Sequence, residues 1–166
     1  MWDTPACALS FLVQQHDEAD VLFDLLLAAQ EPSRRRTLLA ELTLSLTAHM
    51  QLEEQLFYPA VFAPNVEDEL REANEDHLSI KNAVLDLVTL RLDDPQFAAK
   101  VRVAMEQASH HAREEEEGEL FPRIRARVAP DQLQAFGLEL AARYKALRRA
   151  ASLRSLAGSS AQRLRL

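Results

Sequence analysis

The chain is short of the residues that build sheets, disulfides and membrane spans. Its 166 residues include one cysteine, three glycines and seven prolines, with aromatics at 6%. A lone Cys7 cannot close an internal disulfide, which makes a reducing, cytoplasmic compartment the expected one. So few glycines leave little material for the tight turns of a β-protein. No apolar run reaches the eighteen or so residues that a membrane span needs. The N-terminal residues show no basic region ahead of an apolar core, so no leader is expected. What is abundant is Leu, Ala, Glu and Arg, the composition of helices.

Charge is unevenly spread. Residues 1–139 hold twelve Lys or Arg against all 26 acids, a balance of −14, whereas residues 140–166 hold seven basic residues and no acid. An acidic body repels a phosphate backbone, so nucleic acid is not an expected partner. The basic C-terminal stretch is the place where a protein partner could engage.

Apolar spacing of three and four residues divides the chain into helices. The first covers about 8–30, with Leu9, Leu12, His16, Ala19, Phe23 and Leu26 on one stripe. The second covers about 34–62, capped by Ser33, with Leu38, Leu42, Ser45, His49, Glu53, Leu56 and Ala60 in line. The third, about 67–91, aligns Leu70, His77, Ile80, Val84 and Leu87, with acids crowding its first turn as the helix dipole favours. The fourth, about 95–127, opens at Pro95 and aligns Phe97, Val101, Ala104, Ala108, His111, Glu115 and Gly118. Pro130-Asp131 starts a fifth. Short connections make neighbours antiparallel, so the expected fold is all-α: an up-down-up-down four-helix bundle with an additional C-terminal helix. One domain over 1–150 and a flexible basic tail over 151–166 complete this reading.

Each bundle helix carries one histidine on its apolar stripe. His16 lies about fifteen residues before the first loop and His49 about sixteen after it; at ~1.5 Å per residue both are roughly 23 Å from that turn. His77 and His111 bear the same relation to the loop near 92–95. Four imidazoles therefore meet in one layer. A single core histidine is ordinarily just a hydrogen-bonded core residue. Four together without a cation would leave several polar rings short of partners, at about 1–3 kcal/mol for each unsatisfied group.

"HMQLEEQLFYP" (49–59) and "HHAREEEEGELFP" (110–122) share an order of His, Glu pair, Leu-Phe and Pro. Glu53 follows His49 by four and Glu115 follows His111 by four, so each pair shares a helix face. A buried Glu must be paired, protonated or bound to metal. The rest of the run Glu114–Glu117 reads as solvated, His110 as an outer-face residue and Tyr58 as packing at the bundle end. Trp2 and Cys7 read as structural. Four His and two Glu are too many for a structural zinc site. Imidazole mixed with carboxylate suits iron or manganese, as a pair bridged by the carboxylates. Two six-coordinate metals offer about twelve positions, and the protein with a bridging oxygen fills about ten, leaving about two open. No histidine has a Glu three residues before it, which excludes the ferritin-like pattern.

These segments, with "QQHDEAD" (14–20) and "EDHLSIK" (75–81), resemble the hemerythrin-like, HHE cation-binding domain over about residues 8–127. The resemblance implies a four-helix bundle around a non-haem centre of two Fe ions. His16, His49, His77 and His111 would be its terminal ligands, and Glu53 and Glu115 its bridges. Two departures stand out. Oxygen carriers of the family have a further histidine where this chain has Lys81, and their fourth-helix carboxylate is an Asp one residue further from its His. The chain is thus similar to the bacterial or regulatory branch. The expected role is binding of O2, NO or peroxide in sensing, scavenging or iron handling. The alternatives are an enzyme for peroxide or nitric-oxide detoxification or iron-centre repair, and a metal-free helical interaction protein.

Overall fold

The structure is a computed structural model that describes the backbone of residues 7–163 and the side chains of residues 7–151. Of the expected loose tail, 151–166, the backbone to Arg163 continues the last helix, while residues 164–166 and the side chains from 152 onward lie outside the described residues. Every regular element among them is helical. Helix α1 is Ala8–Ala28 and α2 is Pro32–Leu52; a π-helical turn, Glu53–Phe57, then leads into α3, Tyr58–Val61. Helix α4 is Glu67–Thr89 and α5 is Phe97–His110. A longer π-helical segment, His111–Leu120, joins α5 to α6, Phe121–Arg125, and α7 runs from Pro130 to Arg163. None of the described helices is long and apolar enough to cross a membrane.

Helices α1, α2, α4 and α5 close into a ring in which each packs on its sequence neighbour and α5 returns to α1. The connections are too short for anything but antiparallel neighbours. The C-terminal helix lies along α1 and α2, so it covers a flank of the bundle and not an end.

Helix starts differ in two places from the sequence expectation. The second begins early, at Pro32, with Glu31 as N-cap, because proline at the first position needs no donor. The fourth begins at Phe97 and not at Pro95: residues 94–97 form a turn, closed by the Phe97 amide on the Asp94 carbonyl at 3.0 Å, in which the Asp94 carboxylate accepts from the Gln96 amide at 2.8 Å. At the start of α1, Cys7 and Ser10 cap each other reciprocally, the Ser10 amide donating to Sγ and the Cys7 amide to Oγ. At the opposite end of the bundle Arg35 ties two loops together. It donates to the carbonyls of Ala29 and Leu92 at 2.9 and 2.6 Å and lies over the Phe97 ring.

The core is two apolar clusters separated by a polar layer. One contains Leu9, Leu12, Leu52, Phe57, Leu120, Phe121, Ile124 and Leu140; the other contains Phe23, Leu26, Leu42, Leu87, Phe97 and Val101. Each such side chain, fully buried, contributes about 1.5–3 kcal/mol. Between them lie Gln15, His16, Ser45, His49, Glu53, His77, His111 and Glu116, all buried. The apolar clusters hold this layer closed to water.

The C-terminal helix docks by close backbone approach and one buried hydrogen bond, Ser45 Oγ to Tyr144 OH at 2.9 Å. A Cβ on Gly137 would stand 2.6 Å from the carbonyl carbon of Cys7 and 2.7 Å from the Ala8 nitrogen. Backbone cannot rotate out of the way as a side chain can. Gly137→Ala is therefore expected to destabilise by about 1–3 kcal/mol, the usual cost of overpacking, measured by urea unfolding. An unchanged midpoint would show that α7 is not seated this tightly on α1.

Candidate metal centre

The two π-helical segments set the geometry of the polar layer. Both end beside a proline, Pro59 and Pro122. A proline inside a helix lacks the N–H and crowds the carbonyl four residues back, and a widened turn relieves that conflict. Widening also changes which residues share a face: the amide of Tyr58 reaches back five residues to Glu53, and that of Phe121 five residues to Glu116. Over such a stretch the inward side chains recur at five, not four.

The consequence shows in the fourth helix. Counting four from His111 gives Glu115, but the buried carboxylate is Glu116, five residues on, with 1% of its surface exposed. Its Oε2 lies 3.2 Å from His16 Nε2 and 3.8 Å from His111 Nε2. Glu115 lies outside the layer, its side chain a quarter exposed, where it accepts from His111 Nδ1 at 3.2 Å. The His49–Glu53 pair keeps the four-residue spacing, because α2 is regular up to Leu52. Glu53 is fully buried, with Oε2 at 3.1 Å from His49 Nε2 and 3.2 Å from His77 Nε2.

All four predicted histidines converge. Their Nε2 atoms face the carboxylates and one another, His77 and His111 meeting at 3.0 Å. Each Nδ1–H is held from outside. His16 donates to Glu117 at 2.8 Å, His49 to the Gln15 amide oxygen at 2.8 Å, His77 to Glu54 at 2.9 Å and His111 to Glu115. An acceptor on Nδ1 fixes the tautomer and turns the Nε2 lone pair inward, which is how a protein prepares imidazole as a ligand. The glutamate run of the fourth helix is thus divided by role: Glu116 faces in, Glu115 and Glu117 orient histidines, and Glu114 is on the surface beside His110. Lys81 does not reach the layer. It pairs with Glu54 at 2.5 Å, backing the acceptor that orients His77.

Tyr58 belongs to this layer too, contrary to its expected place at the bundle end. Its hydroxyl donates to Glu116 Oε1 at 2.9 Å and lies 3.3 Å from His77 Nε2. It stands five residues after Glu53 across a π-turn, as Glu116 stands five after His111. The sequence signal for both was the proline within a helical pattern.

Ionisation in the bare cluster is strongly perturbed. Burial pulls His16 down, but its contacts with Glu116 and Glu117 prevail and hold it at about 10; for His77 burial is likewise outweighed by Glu53 and Glu54, giving about 9. Burial dominates for His111, lowered to about 4, and carries His49 well below its ordinary value. Burial and the neighbouring Glu116 charge raise Glu53 to about 8. Burial acts upward on Glu116 as well, but the ion-pair contact with His16 and the surrounding imidazoles hold it well below the carboxylate range.

Whether a metal fits can be read from what lacks a partner. Both oxygens of Glu53, Oε2 of Glu116 and Nε2 of His16 are buried without a hydrogen bond. Three overlapping donor groups exist among the described residues: His16, His49, Glu53 and Glu116; Glu53, His77 and His111; and the partly exposed Asp76, His111 and Glu115, each with its ligand atoms within 4.8 Å of one another. Glu53 is common to the first two and His111 to the last two. Four imidazoles and two carboxylates form a donor set suited to iron or manganese, so the residues fit a cation pair.

Known proteins resemble this chain in sequence and fold. The chain matches 26% of residues over 127 positions with a DNA nickase of a Nostoc species, across 76% of this chain. That match spans 36% of the nickase, so the chain is similar to about a third of that protein. A crystal structure of a hemerythrin HHE cation binding domain-containing protein from Mycobacterium kansasii superposes with a TM-score of 0.80 at 22% identity, covering 89% of this chain and 90% of that one. The family model for the hemerythrin HHE cation binding domain matches residues 7–124. The chain belongs to the hemerythrin HHE cation-binding domain family, and its buried His/Glu layer is compatible with the metal site such a domain holds.

Proposed function

We propose that the polar layer holds two iron ions and that this centre binds or reacts with a small ligand, O2, NO or peroxide, in sensing, scavenging or iron handling. The observation that carries this reading is the set of inward Nε2 atoms converging on two buried carboxylates that have unpartnered oxygens. His16 and His49, with His77 and His111, would be the terminal ligands, and Glu53 and Glu116 the bridges. Iron, when bound, supplies electrons and open coordination positions. The chain's own residues do the rest. Gln15, Glu54, Glu115 and Glu117 keep the imidazoles oriented, and the apolar clusters keep bulk water away.

A small cavity of about 20 Å³ adjoins the layer, lined by Leu46, Met50, Ile80 and Ala108 together with His16, His49 and His111. Its mainly apolar wall suits an uncharged diatomic ligand better than a polar substrate. Tyr58 favours a second reading, turnover of peroxide or nitric oxide, because its hydroxyl is a buried proton donor hydrogen-bonded to Glu116 inside the layer. The metal-free reading leaves Glu53 Oε1 buried without a partner, at a cost of about 1–3 kcal/mol.

The single cysteine favours a reducing, cytoplasmic setting for this activity. The nickase relative is named for action on DNA, but the −14 balance of residues 1–139 opposes phosphate, so DNA is not proposed as a ligand here. Any protein partner would meet the basic stretch 140–166.

The test is optical. Ferrous-loaded protein under argon is given O2, NO or peroxide in separate experiments, and the visible spectrum is followed. A new charge-transfer band with at least one of them is expected, and catalytic loss of peroxide or NO would select the second reading. A loaded protein inert to all three would refute both.

A further inference from the structure

On the opposite side of the polar layer from the apolar cavity is a second small one of different character. It is lined by Glu69, Glu72, Glu115, Glu116 and Glu119, with Ala73 and Leu120. Ala73 and Leu120 belong to one apolar cluster, whereas Leu46, Met50, Ile80 and Ala108 pack with the other. The two cavities thus approach the histidine layer from its two sides.

The acids of this second cavity are graded in depth. Glu72 and Glu119 are exposed, Glu69 and Glu115 are half-buried, and Glu116 is buried. Positions 69, 72, 73 and 76 lie on one face of α4, so Asp76 continues the line toward His111, with its Oδ2 buried and unpartnered. Compensating charge is sparse: Arg123 pairs with Glu69 and His110 with Glu115. An acidic groove alone is no site. What makes this one lead somewhere is Glu116, nine-tenths buried and more, whose unpartnered Oε2 belongs to the donor group of His16, His49 and Glu53.

We infer that this cavity is the access route for a divalent cation, loading the buried centre through Glu72 and Glu119, then Glu115, to Glu116. The inference rests on the metal-binding reading above. A hydrated cation meets carboxylates at the surface and exchanges water for them in steps, so it never crosses the apolar cluster unaccompanied. The small ligand reaches the centre from the apolar side, and the two traffics do not compete.

Stopped-flow loading of the full chain with cobalt(II), followed by its visible absorption, and with ferrous iron under argon, tests the route. Glu72→Gln with Glu119→Gln removes two exposed charges and no donor of the buried layer. The control, Asp24→Asn with Glu106→Gln, removes two exposed charges elsewhere. The route variant is expected to load about tenfold more slowly at low salt, with the gap narrowing at high salt, and to reach the same final metal content. The control should load at nearly the wild-type rate. Equal slowing in both variants, no slowing, or a lower final content in the route variant would overturn the route. A wild-type chain that binds neither cation would overturn the metal-binding reading itself, which separates the two failures.

Discussion

Glu116→Gln is expected to reduce the iron content of the reconstituted protein from about two per chain to one or none, whereas Glu115→Gln should retain about two. The two residues are neighbours of identical chemistry, so the comparison isolates geometry. Glu116 stands between His16 Nε2 and His111 Nε2 and offers an unpartnered oxygen. An amide in its place cannot supply an anionic bridge. Glu115 touches the centre through His111 Nδ1, and its replacement by glutamine would retain an amide oxygen to accept that hydrogen bond. Loss of an orienting partner weakens metal binding by about 10- to 100-fold, which leaves a tight site occupied under saturating iron. Elemental analysis after desalting reads both variants. The opposite ranking would return the bridge to Glu115 and with it a regular α-helix through the fourth segment.

His77→Ala should couple metal and stability in a way no ordinary core substitution does. His77 is fully buried and in contact with Glu53, Glu54, Tyr58 and His111. In the wild type, binding that occurs only in the folded state adds about 4 kcal/mol when free metal exceeds the dissociation constant a thousandfold. For a chain of this size that corresponds to a melting temperature on the order of 10 °C higher with iron than with a chelator. The variant should melt at nearly the same temperature under both conditions. If wild type and variant both ignore the chelator, the layer is a polar core and not a metal centre.

Most of the architecture was written in apolar spacing. The depth argument placed His16, His49, His77 and His111 in one layer because α1, the body of α2, α4 and α5 are regular helices, for which ~1.5 Å per residue holds. Glu53 was legible for the same reason. Glu116 and Tyr58 were not, since Glu116 lies within one π-helical segment and Tyr58 directly follows the other, and a count that assumes about 3.6 residues per turn selects a different neighbour there. Pro59 and Pro122 marked those turns, but a proline near the end of an apolar stripe reads more simply as a helix end. The division of labour within Glu114–Glu117 could not be seen either. It depends on which acceptor lies beside each Nδ1, and Glu117 meets a histidine a hundred and one residues away. The flank position of α7 follows from Gly137 and Tyr144 meeting α1 and α2, contacts that no local pattern announces.

The most direct test of the central claim is the metal content of the full chain, reconstituted with ferrous iron under argon, desalted and analysed for all transition metals. The account predicts about two irons per chain, held by His16, His49, His77, His111, Glu53 and Glu116. A chain that emerges without bound metal would contradict it, and a single tightly held zinc would contradict the bridged pair while leaving the donor set in place.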